Sequence, residues 1–505
     1  MEKPIMITRS CYDHHHHLWF AILISFLLFT LLLSFDYFSS STFNNNGTAT
    51  FLFNNKQVNN DTTTLVTKNS NIDSCNGRYV YIHELPSRFN YNLLKNCKSL
   101  TRGTTDKPNM CPYMDNLGLG PKIENSQDVF TNDMSTISWY ATNQFLLEVI
   151  FHNKMKNYEC LTNDSSLANA IFVPYYAGLD VSQFLWVSDI KVRDSSGKEL
   201  VEWLVKKDEW KKMWGRDHFL ISGRISWDLR RQVDDESYWG SKFRFLPESM
   251  NMSMLSVEAS SWNNDYAIPY PTSFHPLAKS EVLQWQSKMR HQNRPYLFTF
   301  TGAPRPEIED SIRGKVIEQC LVSNSGCKFI NCSYGSGEKC DDPVSVMKVF
   351  ANSVFCLQPP GDSYTRRSIF DSMLAGCVPV FFHPGTAYSQ YKWYLPKNRT
   401  KYSVYIPVKN VKEWNNVNVE KVLVGIKQDE VVAMREEVIK LIPKIIYADP
   451  KSKLVDKFED AFDVAVKGML ERIEEVREAM KNGRDPSIGF ADEDHYKYTF
   501  SDNHS

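Results

Sequence analysis

The stretch CLQPPGDSYTRRSIFDSMLAGCVPVFF (residues 356–382) has the pattern of a strand, a Pro/Gly loop, a helix and a second strand. Ser363 can cap the helix through its hydroxyl group, and Gly376 can end it. Arg366 and Arg367 lie at the helix start, where the helix dipole normally attracts acidic residues. Backbone N–H groups at such a start, beyond the carboxyl end of a parallel strand, suit a phosphate. The two arginines therefore predict a bound anion such as a diphosphate.

Asp371 lies four residues after Arg367 and eight after Ser363, so the three residues share roughly one side of the predicted helix. A carboxylate at this position could accept hydrogen bonds from the hydroxyl groups of a ribose. The same spacing is equally compatible with an ordinary ion pair between Arg367 and Asp371.

A second stretch, LFTFTGAPRPEIEDSIRG (residues 297–314), repeats this logic. Gly302 at the end of a strand permits a close backbone approach, Arg305 follows in a loop, and Arg313 lies further on. Two basic loops at two strand ends of one domain indicate an anion site more strongly than either loop alone.

Short apolar runs alternate with helical patterns along the chain, which is typical of α/β proteins with parallel sheets. Buried strands are predicted at 170–178, 218–224 and 254–260, and a second series at 295–302, 353–359 and 378–382. Helices are predicted at 135–156, 196–214 and over most of 419–480. The pattern predicts two Rossmann-like domains that join near residues 266–293.

Composition excludes a general nucleic-acid binder. The 505 residues include 58 lysines and arginines against 59 aspartates and glutamates, so no large basic field is available for phosphate backbones. This length allows two or three domains, each with its own core. Aromatic residues make up 13% of the chain, which suits platforms for sugar rings as well as ordinary core packing.

The N-terminal region predicts a membrane anchor. Residues 18–35 form an uncharged apolar run, preceded by Lys3 and Arg9, whereas the first lysine after it is Lys56. This asymmetry favours a cytosolic N-terminus, hence a type II anchor over a cleaved signal peptide. Residues 39–74 are rich in Ser, Thr and Asn and predict a flexible stem.

Cysteines and glycosylation motifs agree with this topology. Ten of the eleven cysteines follow the predicted anchor, and four of them (Cys320, Cys327, Cys332 and Cys340) predict a disulfide-stapled region rather than a zinc site. Seven N-x-S/T motifs lie on the same side. They are Asn46, Asn60, Asn163, Asn251, Asn331, Asn398 and Asn503.

No metal site is predicted. The single Asp-x-Asp triplet, Asp492 to Asp494, follows no strand and is better interpreted as a solvated acidic tail. Arginines and helix ends, rather than Mg²⁺ or Mn²⁺, are therefore expected to neutralise a diphosphate.

Taken in order, long segments of the chain resemble the exostosin-type glycosyltransferases (glycosyltransferase family 47), and within them the plant xyloglucan galactosyltransferase branch. The matching segments include YATNQFLLEVIFHNKMKNYECLTNDSSLANAIFVPYYAGLD, HFLISGRISWDLRR, NMSMLSVEAS, IPYPTSFHP, FTGAPRP, SIRG and FCLQPPGDSYTRRSIFDSMLAGCVPVFFHPG. The resemblance covers nearly all of the chain beyond the predicted stem.

The resemblance implies a type II membrane protein of the Golgi apparatus with a GT-B-like α/β fold, in which two Rossmann-like domains face a cleft. The expected parts are a cytosolic tail (1–17), a transmembrane signal anchor (18–38), a flexible stem (39–74), an N-terminal acceptor domain (75–290), a C-terminal nucleotide-sugar domain (291–450) and a C-terminal helix and tail (451–505). The expected partners are UDP-galactose, the xyloglucan acceptor, the Golgi membrane and other Golgi glycosyltransferases, without nucleic acid. No cofactor is expected beyond the UDP-sugar co-substrate.

The donor-binding residues are expected to be Gly302, Arg305, Gly361, Ser363, Arg366, Arg367 and Asp371. The broader family commonly has an arginine three residues before the acidic residue of the ribose helix, whereas this chain has Ser368. Arg366 and Arg367 lie one and two residues earlier, as in the xyloglucan branch, and either one could meet the diphosphate.

The implied reaction transfers galactose to xylosyl side chains with inversion at the anomeric carbon, which requires a general base. Asp228, which follows a strand and an SGR turn, is the first candidate, and Asp180 and Glu258 are alternatives; His218 is a weaker one. A salt bridge from Asp228 to Arg230 or Arg231 is the structural alternative. Two other functions remain open: the same mechanism with UDP-arabinofuranose or UDP-galacturonic acid, and a catalytically inactive Golgi scaffold.

Overall fold

The computed structural model describes residues 73–100, 109–124, 138–484 and 486, apart from gaps at 186, 188, 309–310, 324–325, 334, 338–339, 413–416 and 453–455. These residues belong to one compact unit, Ile72–Ser505. The predicted anchor, residues 39–72 of the predicted stem and the acidic tail lie outside the described residues. No helix in the described part is long and apolar enough to span a bilayer.

Two parallel sheets organise the described chain. The first contains five strands in chain order: β1 (Tyr79–Ile82), β2 (Ala168–Phe172), β3 (His218–Ser222), β4 (Ser253–Ser256) and β5 (Asp265–Ala267). All their pairings are parallel. This sheet and the helices between its strands are called the first lobe.

The second sheet contains β6 (Tyr296–Gly302), β7 (Cys327–Asn331), β8 (Ser353–Gln358), β9 (Val378–Phe381) and β10 (Val404–Tyr405) in the described residues. The strand order is β10-β9-β8-β6-β7, again with parallel pairing throughout. β7 thus lies on one side of β6 and β8 on the other, so the strand order reverses direction between β6 and β8. Ligands of open α/β sheets bind at such a reversal, outside the carboxyl ends of the two strands. This sheet and its helices form the second lobe.

Helices connect the strands, as parallel pairing requires. In the first lobe they are α1 (Tyr91–Lys95), α2 (Leu147–Met155), α3 (Ala177–Ser182), α4 (Ile190–Leu204), α5 (Asp208–Met213) and α6 (Pro247–Asn251). They are followed by α7 (Lys279–His291), α8 (Arg313–Val322), α9 (Pro343–Ala351), α10 (Arg367–Leu374), α11 (Val408–Lys412), α12 (Val419–Val424), α13 (Gln428–Ile445) and α14 (Ala461–Lys481).

The last of these helices returns to the first lobe. Asp460 starts α14 with a capping box, in which its carboxylate accepts hydrogen bonds from the backbone of Phe462 and Asp463. The Phe462 ring then packs 4.7 Å from that of Phe151 in α2, centroid to centroid. Residues of both lobes and of α14 share one hydrophobic core as a result.

Most predicted strands are present, with shorter bounds. The helix predicted at 135–156 begins only at Leu147, because Trp139 and Tyr140 instead pair with Phe274 and Lys122 in isolated bridges. The helix predicted at 196–214 is two helices, α4 and α5. The sequence did not predict β1, β5, β7 and β10 as strands; each of them is short or carries polar residues.

Five disulfides pair all ten cysteines that follow the predicted anchor. The pairs are Cys75–Cys160, Cys97–Cys111, Cys320–Cys327, Cys332–Cys340 and Cys356–Cys377. The predicted stapled region therefore contains two local bridges, and Cys11 lies outside the described residues.

Four of the seven glycosylation motifs lie in described residues. Asn163 and Asn398 are exposed, and Asn251 and Asn331 are partly buried. The amide nitrogen of Asn251 donates a hydrogen bond of 2.9 Å to the carbonyl of Trp214, which a glycan at that nitrogen would have to replace. Asn46, Asn60 and Asn503 lie outside the described residues.

Candidate active site

The loops after β6 and β8 meet at the point where the second sheet reverses direction. Arg313, at the start of α8, holds them together: its Nη1 donates to the carbonyl of Ala303, at 3.1 Å, and its Nε to that of Pro360, at 2.9 Å. The guanidinium is buried. Both basic loops predicted from the sequence therefore lie at one place.

Arg366 lies directly before α10 and turns back over the loop that follows β8. Its Nη1 donates to the hydroxyl of Ser363, at 2.8 Å, and to the carbonyl of Thr365, at 2.6 Å. Its Nη2 is buried and has no hydrogen-bond partner within the described residues. A buried charged donor without a partner is costly, and an anion at this position would satisfy it.

Gly361 lets the guanidinium of Arg366 lie directly on the loop. A Cβ atom at this position would lie 2.0 Å from Nη2 of Arg366 and 2.8 Å from Nη2 of Arg313. Gly302 has a milder version of the same constraint, since a Cβ there would lie 2.7 Å from the Phe300 ring. The two predicted glycines therefore make room for neighbouring side chains.

Positive charge accumulates around this loop. Burial, followed by the nearby cations Arg366 and Arg305, lowers the pKa of Arg313 to about 9. Arg305 itself is about one-third exposed and pairs with Asp362, with 2.7 Å between Nε and Oδ1. The crowded arginines would gain from an anionic ligand, with Arg305 at the solvent side.

Arg367 has a different role from Arg366. Its Nε donates to Asp371 Oδ2, at 3.1 Å, which is the i,i+4 ion pair that the spacing allows. Its Nη1 and Nη2 donate to the carbonyl of Thr142 and the hydroxyl of Ser273, both in the first lobe. Burial raises the pKa of Asp371, and Arg367 opposes that rise. Arg367 thus links the two lobes beside the carboxylate predicted to hold the ribose.

A cavity of about 430 Å³ opens beside this link, between the lobes. Its lining combines aromatic, polar and charged residues of both lobes: Tyr113, Ala141, Thr142, Asn143, Gln144, Phe145, Ser273, Thr301, Cys332, Cys340, Asp341, Pro343, Val346, Met347, Arg366, Arg367, Ser368 and Asp371. A cavity of this size is within the usual range for small-ligand sites.

Glu258, in the first lobe, contacts the loop between β8 and α10 (residues 359–366), which is called the donor loop. Its Oε2 accepts hydrogen bonds from the backbone N–H and the hydroxyl of Thr365, at 2.7 and 2.6 Å. Burial raises the pKa of Glu258, against the hydrogen bonds from Thr365 and the charge of Arg366. These contacts make it a residue that positions the donor loop.

Asp228, the first candidate base, follows β3 in a buried turn. Its Oδ2 accepts a hydrogen bond of 3.1 Å from Arg224, and its Oδ1 one of 2.6 Å from the indole N–H of Trp239. The predicted salt-bridge alternative is therefore present with Arg224 as the partner. Arg230 and Arg231 instead pair with Asp265 and Asp194.

The other candidates are enclosed. Asp180 accepts a 2.6 Å hydrogen bond from the Tyr175 hydroxyl, and burial raises its pKa. His218 is fully buried between Asp217, 2.7 Å from its Nδ1, and His83, 3.1 Å from its Nε2. None of the four candidates for the base, Asp228 and Glu258 included, is among the lining residues of the cavity.

Three residues that support the site were not predicted to belong to it. The sequence pattern marks Arg313 only as a further basic residue, although its position after a basic loop is a usable signal. Thr365 gave no signal. Glu148 in α2 accepts hydrogen bonds from the backbone of Gly178, at 2.5 Å, and Gly223, at 2.9 Å, and so fixes the loops after β2 and β3. In the sequence, the only sign of this role is that a glutamate interrupts an otherwise apolar helix pattern.

Comparison with known proteins agrees with this geometry. The chain is 59% identical over 428 residues to "Probable xyloglucan galactosyltransferase GT14" of Arabidopsis thaliana, which covers 85% of this chain and 80% of the relative. It is 52% identical over 444 residues to "Xyloglucan galactosyltransferase MUR3" of the same plant, covering 88% and 70%. A solved structure, "Crystal structure of GtfA/B complex", matches 66% of this chain and 61% of its own at 8% identity and a TM-score of 0.32, which is too distant to support an argument. The model of the exostosin GT47 domain matches residues 74–423, and the chain therefore belongs to that family.

Proposed function

We propose that this protein is an inverting glycosyltransferase that moves galactose from UDP-galactose onto xylosyl side chains of xyloglucan. Its family membership and the names of its relatives support this reaction class. The observation that carries the proposed site is the buried, unpartnered Nη2 of Arg366 beside Arg313, at the reversal point of the second sheet. The two lobes are proposed to form the cleft of a GT-B arrangement.

In the proposed reaction, the acceptor hydroxyl oxygen attacks the anomeric carbon while the bond from that carbon to the diphosphate breaks. UDP leaves with the bonding electron pair, and Arg366 stabilises the charge that develops on it. Asp371 binds the ribose hydroxyls after exchanging part of its contact with Arg367. Arginines and the start of α10 neutralise the diphosphate without a metal ion.

The acceptor proton is proposed to pass to Asp228. Its Oδ2 accepts a hydrogen bond from Arg224 and its Oδ1 one from Trp239, and each oxygen has capacity for another. The backbone N–H of Ser226, two residues before Asp228, donates to the carbonyl of Glu258, at 2.9 Å, and the Glu258 carboxylate accepts hydrogen bonds from Thr365 of the donor loop. The turn that carries Asp228 therefore lies close to that loop.

The proposed location is the Golgi membrane, with a type II anchor and the catalytic part in the lumen. The charge asymmetry around residues 18–35 and the pairing of ten cysteines in disulfides support this location. Protease protection of an epitope on the N-terminal tail in sealed Golgi vesicles would contradict it.

The test of function uses the full-length protein, purified in detergent, with UDP-galactose and xylosylated xyloglucan oligosaccharides. We expect products that are one hexose heavier by mass spectrometry. UDP-arabinofuranose and UDP-galacturonic acid, added in competition, separate the alternative donors. UDP binding without transfer from any of these donors would instead support a scaffold.

A further inference from the structure

Two large aromatic side chains stand exposed on the segment that follows β3. Trp227 is 45% exposed and Tyr238 is 50% exposed, eleven residues apart in a loop that contains Asp228. Single exposed aromatic residues are common on protein surfaces and indicate nothing by themselves. Two features distinguish this pair: buried arginines bind the backbone of the loop, and the loop contains Asp228.

The side chains of two buried arginines donate hydrogen bonds to backbone carbonyls of this loop. Arg193 of α4 donates from Nη1 to the carbonyl of Tyr238, at 2.5 Å, and from Nη2 to that of Glu236, at 3.0 Å. Arg231, which is completely buried, donates from Nη1 to the carbonyl of Gly240, at 2.9 Å, and pairs with Asp194, at 2.7 Å. Buried cations that bind loop carbonyls give a fixed surface, which reduces the entropy lost on binding a ligand.

The two ends of the loop lie against each other. The backbone N–H of Ser241 donates to the carbonyl of Asp228, at 2.9 Å. Gly240 has a φ of 80°, and a Cβ atom there would lie 2.6 Å from the Asp228 carbonyl and 3.1 Å from that of Trp227. The chain near Tyr238 is thereby brought next to the chain at Trp227.

A continuous set of contacts connects this loop with the cavity between the lobes. Phe145 lines the cavity, and the guanidinium carbon of Arg224 lies 4.4 Å from the centroid of its ring. Arg224 in turn binds Asp228, which also accepts the indole N–H of Trp239. Asp228, the sequence neighbour of Trp227, is therefore separated from the cavity-lining ring of Phe145 by the guanidinium of Arg224.

Charge restricts the ligand that this surface fits. The tip of the loop carries Asp234, Asp235 and Glu236, and Asp234 pairs with Lys242, at 2.7 Å, and with Arg231, at 3.4 Å. Because Arg231 also pairs with Asp194, the tip keeps a negative balance, which disfavours an anionic polymer. Sugar rings of a neutral polysaccharide present C–H faces that pack on aromatic rings and hydroxyl groups that remain in water.

We propose that Trp227 and Tyr238 form an acceptor subsite, which binds sugar rings of a neutral, xyloglucan-type chain while the reacting hydroxyl lies at Asp228. The inference rests on the proposed function. It adds a place for the part of the polymer that extends beyond the cavity.

The test measures acceptor kinetics of the full-length protein with Trp227→Ala and Tyr238→Ala. We expect the acceptor KM to rise at least five-fold in each variant, with the Kd for UDP unchanged by calorimetry. Trp227→Tyr should restore most of the affinity, because it retains an aromatic face. Trp214→Ala is the matched control, since Trp214 is 57% exposed in the same lobe, at the end of α5.

Direct binding keeps this test separate from the test of transfer. Wild-type protein is titrated with a xylosylated glucan oligosaccharide and, in parallel, with an oligogalacturonide. Binding of the glucan that is lost in Trp227→Ala supports the subsite even if no transfer occurs, in which case the proposed function fails alone. An acceptor KM within two-fold of wild type in both alanine variants, absent glucan binding, or preferred binding of the galacturonide would overturn the inference.

Discussion

At the scale of single residues, the adjacent side chains of Arg366 and Arg367 make different contacts and so have different roles. Arg366 lies over the donor loop, and its buried Nη2 has no hydrogen-bond partner in the part of the chain that the structure describes, whereas Arg367 is occupied by Asp371, Thr142 and Ser273. The sequence predicted that an anion explains their presence, but left open which one meets it. Side-chain direction favours Arg366, whose guanidinium packs against Gly361 together with that of Arg313, whereas Arg367 points to the first lobe.

Replacing Arg366 with alanine should weaken UDP binding by about 10- to 100-fold, the usual cost of losing hydrogen bonds to a charged group. Arg305→Ala should change the Kd by less than about three-fold, because Arg305 is partly exposed and its pair with Asp362 is screened by water. Calorimetric titration with UDP measures both values. Arg290→Ala, which removes a surface pair with Glu436, controls for general effects of lost charge. Equal losses in the Arg366 and Arg305 variants would refute the assigned roles.

At the scale of elements, the strand, loop, helix and strand of residues 356–382 form as the sequence predicts, but the predicted cap is wrong. The helix starts after Arg366, and the Ser363 hydroxyl accepts a hydrogen bond from the Arg366 guanidinium instead of capping the helix. Apolar runs located β6, β8 and β9, and the loop glycines and arginines predict a donor site between them. The reversal of strand order that brings the two basic loops together could not be predicted from the sequence. β7 contains a lysine, and β8, the next strand along the chain, pairs with β6 instead of with β7. The contact of Glu258 with Thr365 spans 107 residues and likewise leaves no local trace.

The disulfide between Cys356 and Cys377 closes this unit from β8 to β9. Replacing both cysteines with alanine should lower the free energy of unfolding by roughly 3 kcal/mol, from the entropy of a loop with a separation of 21 residues. It should also weaken UDP binding, because the donor loop lies inside the closed segment. Chemical denaturation and UDP titration measure the two effects.

The matched control replaces both Cys320 and Cys327 with alanine. Their disulfide joins α8 to β7 and spans a sequence separation of only 7 residues. This variant should lose a similar amount of stability but retain the UDP affinity of the wild type. Unchanged UDP binding in the variant that lacks Cys356 and Cys377 would show that the bridge does not shape the site.

At the scale of the whole molecule, buried ion pairs make the first lobe sensitive to acid. Burial alone would raise the pKa of Asp265, but the guanidinium groups of Arg230 and Arg244 more than offset it and lower the pKa to about 2. Above pH 4 the carboxylate is charged in both the folded and unfolded chains. As the pH falls toward 2, the unfolded chain takes up a proton that the folded chain does not, so stability is lost.

Acidification from pH 4 to pH 2 should therefore cost about 2 kcal/mol through Asp265 alone. Asp265→Asn should be less stable by about 3–5 kcal/mol at neutral pH, because two buried arginines lose their anion, and its stability should change less over this pH range. Denaturant unfolding at several pH values measures both. Asp429→Asn, at the start of α13, is the control; an Asp265→Asn variant with the pH slope of the wild type would contradict the assignment.

The return of α14 to the first lobe has a consequence for biosynthesis. The ribosome completes β2 and α2 early, yet the Phe462 side chain that covers Phe151 is made some three hundred residues later. Until then, the nascent lobe exposes an apolar surface that its own sheet cannot cover. We expect chaperones to engage this lobe for most of translation, and release to follow the synthesis of residue 481.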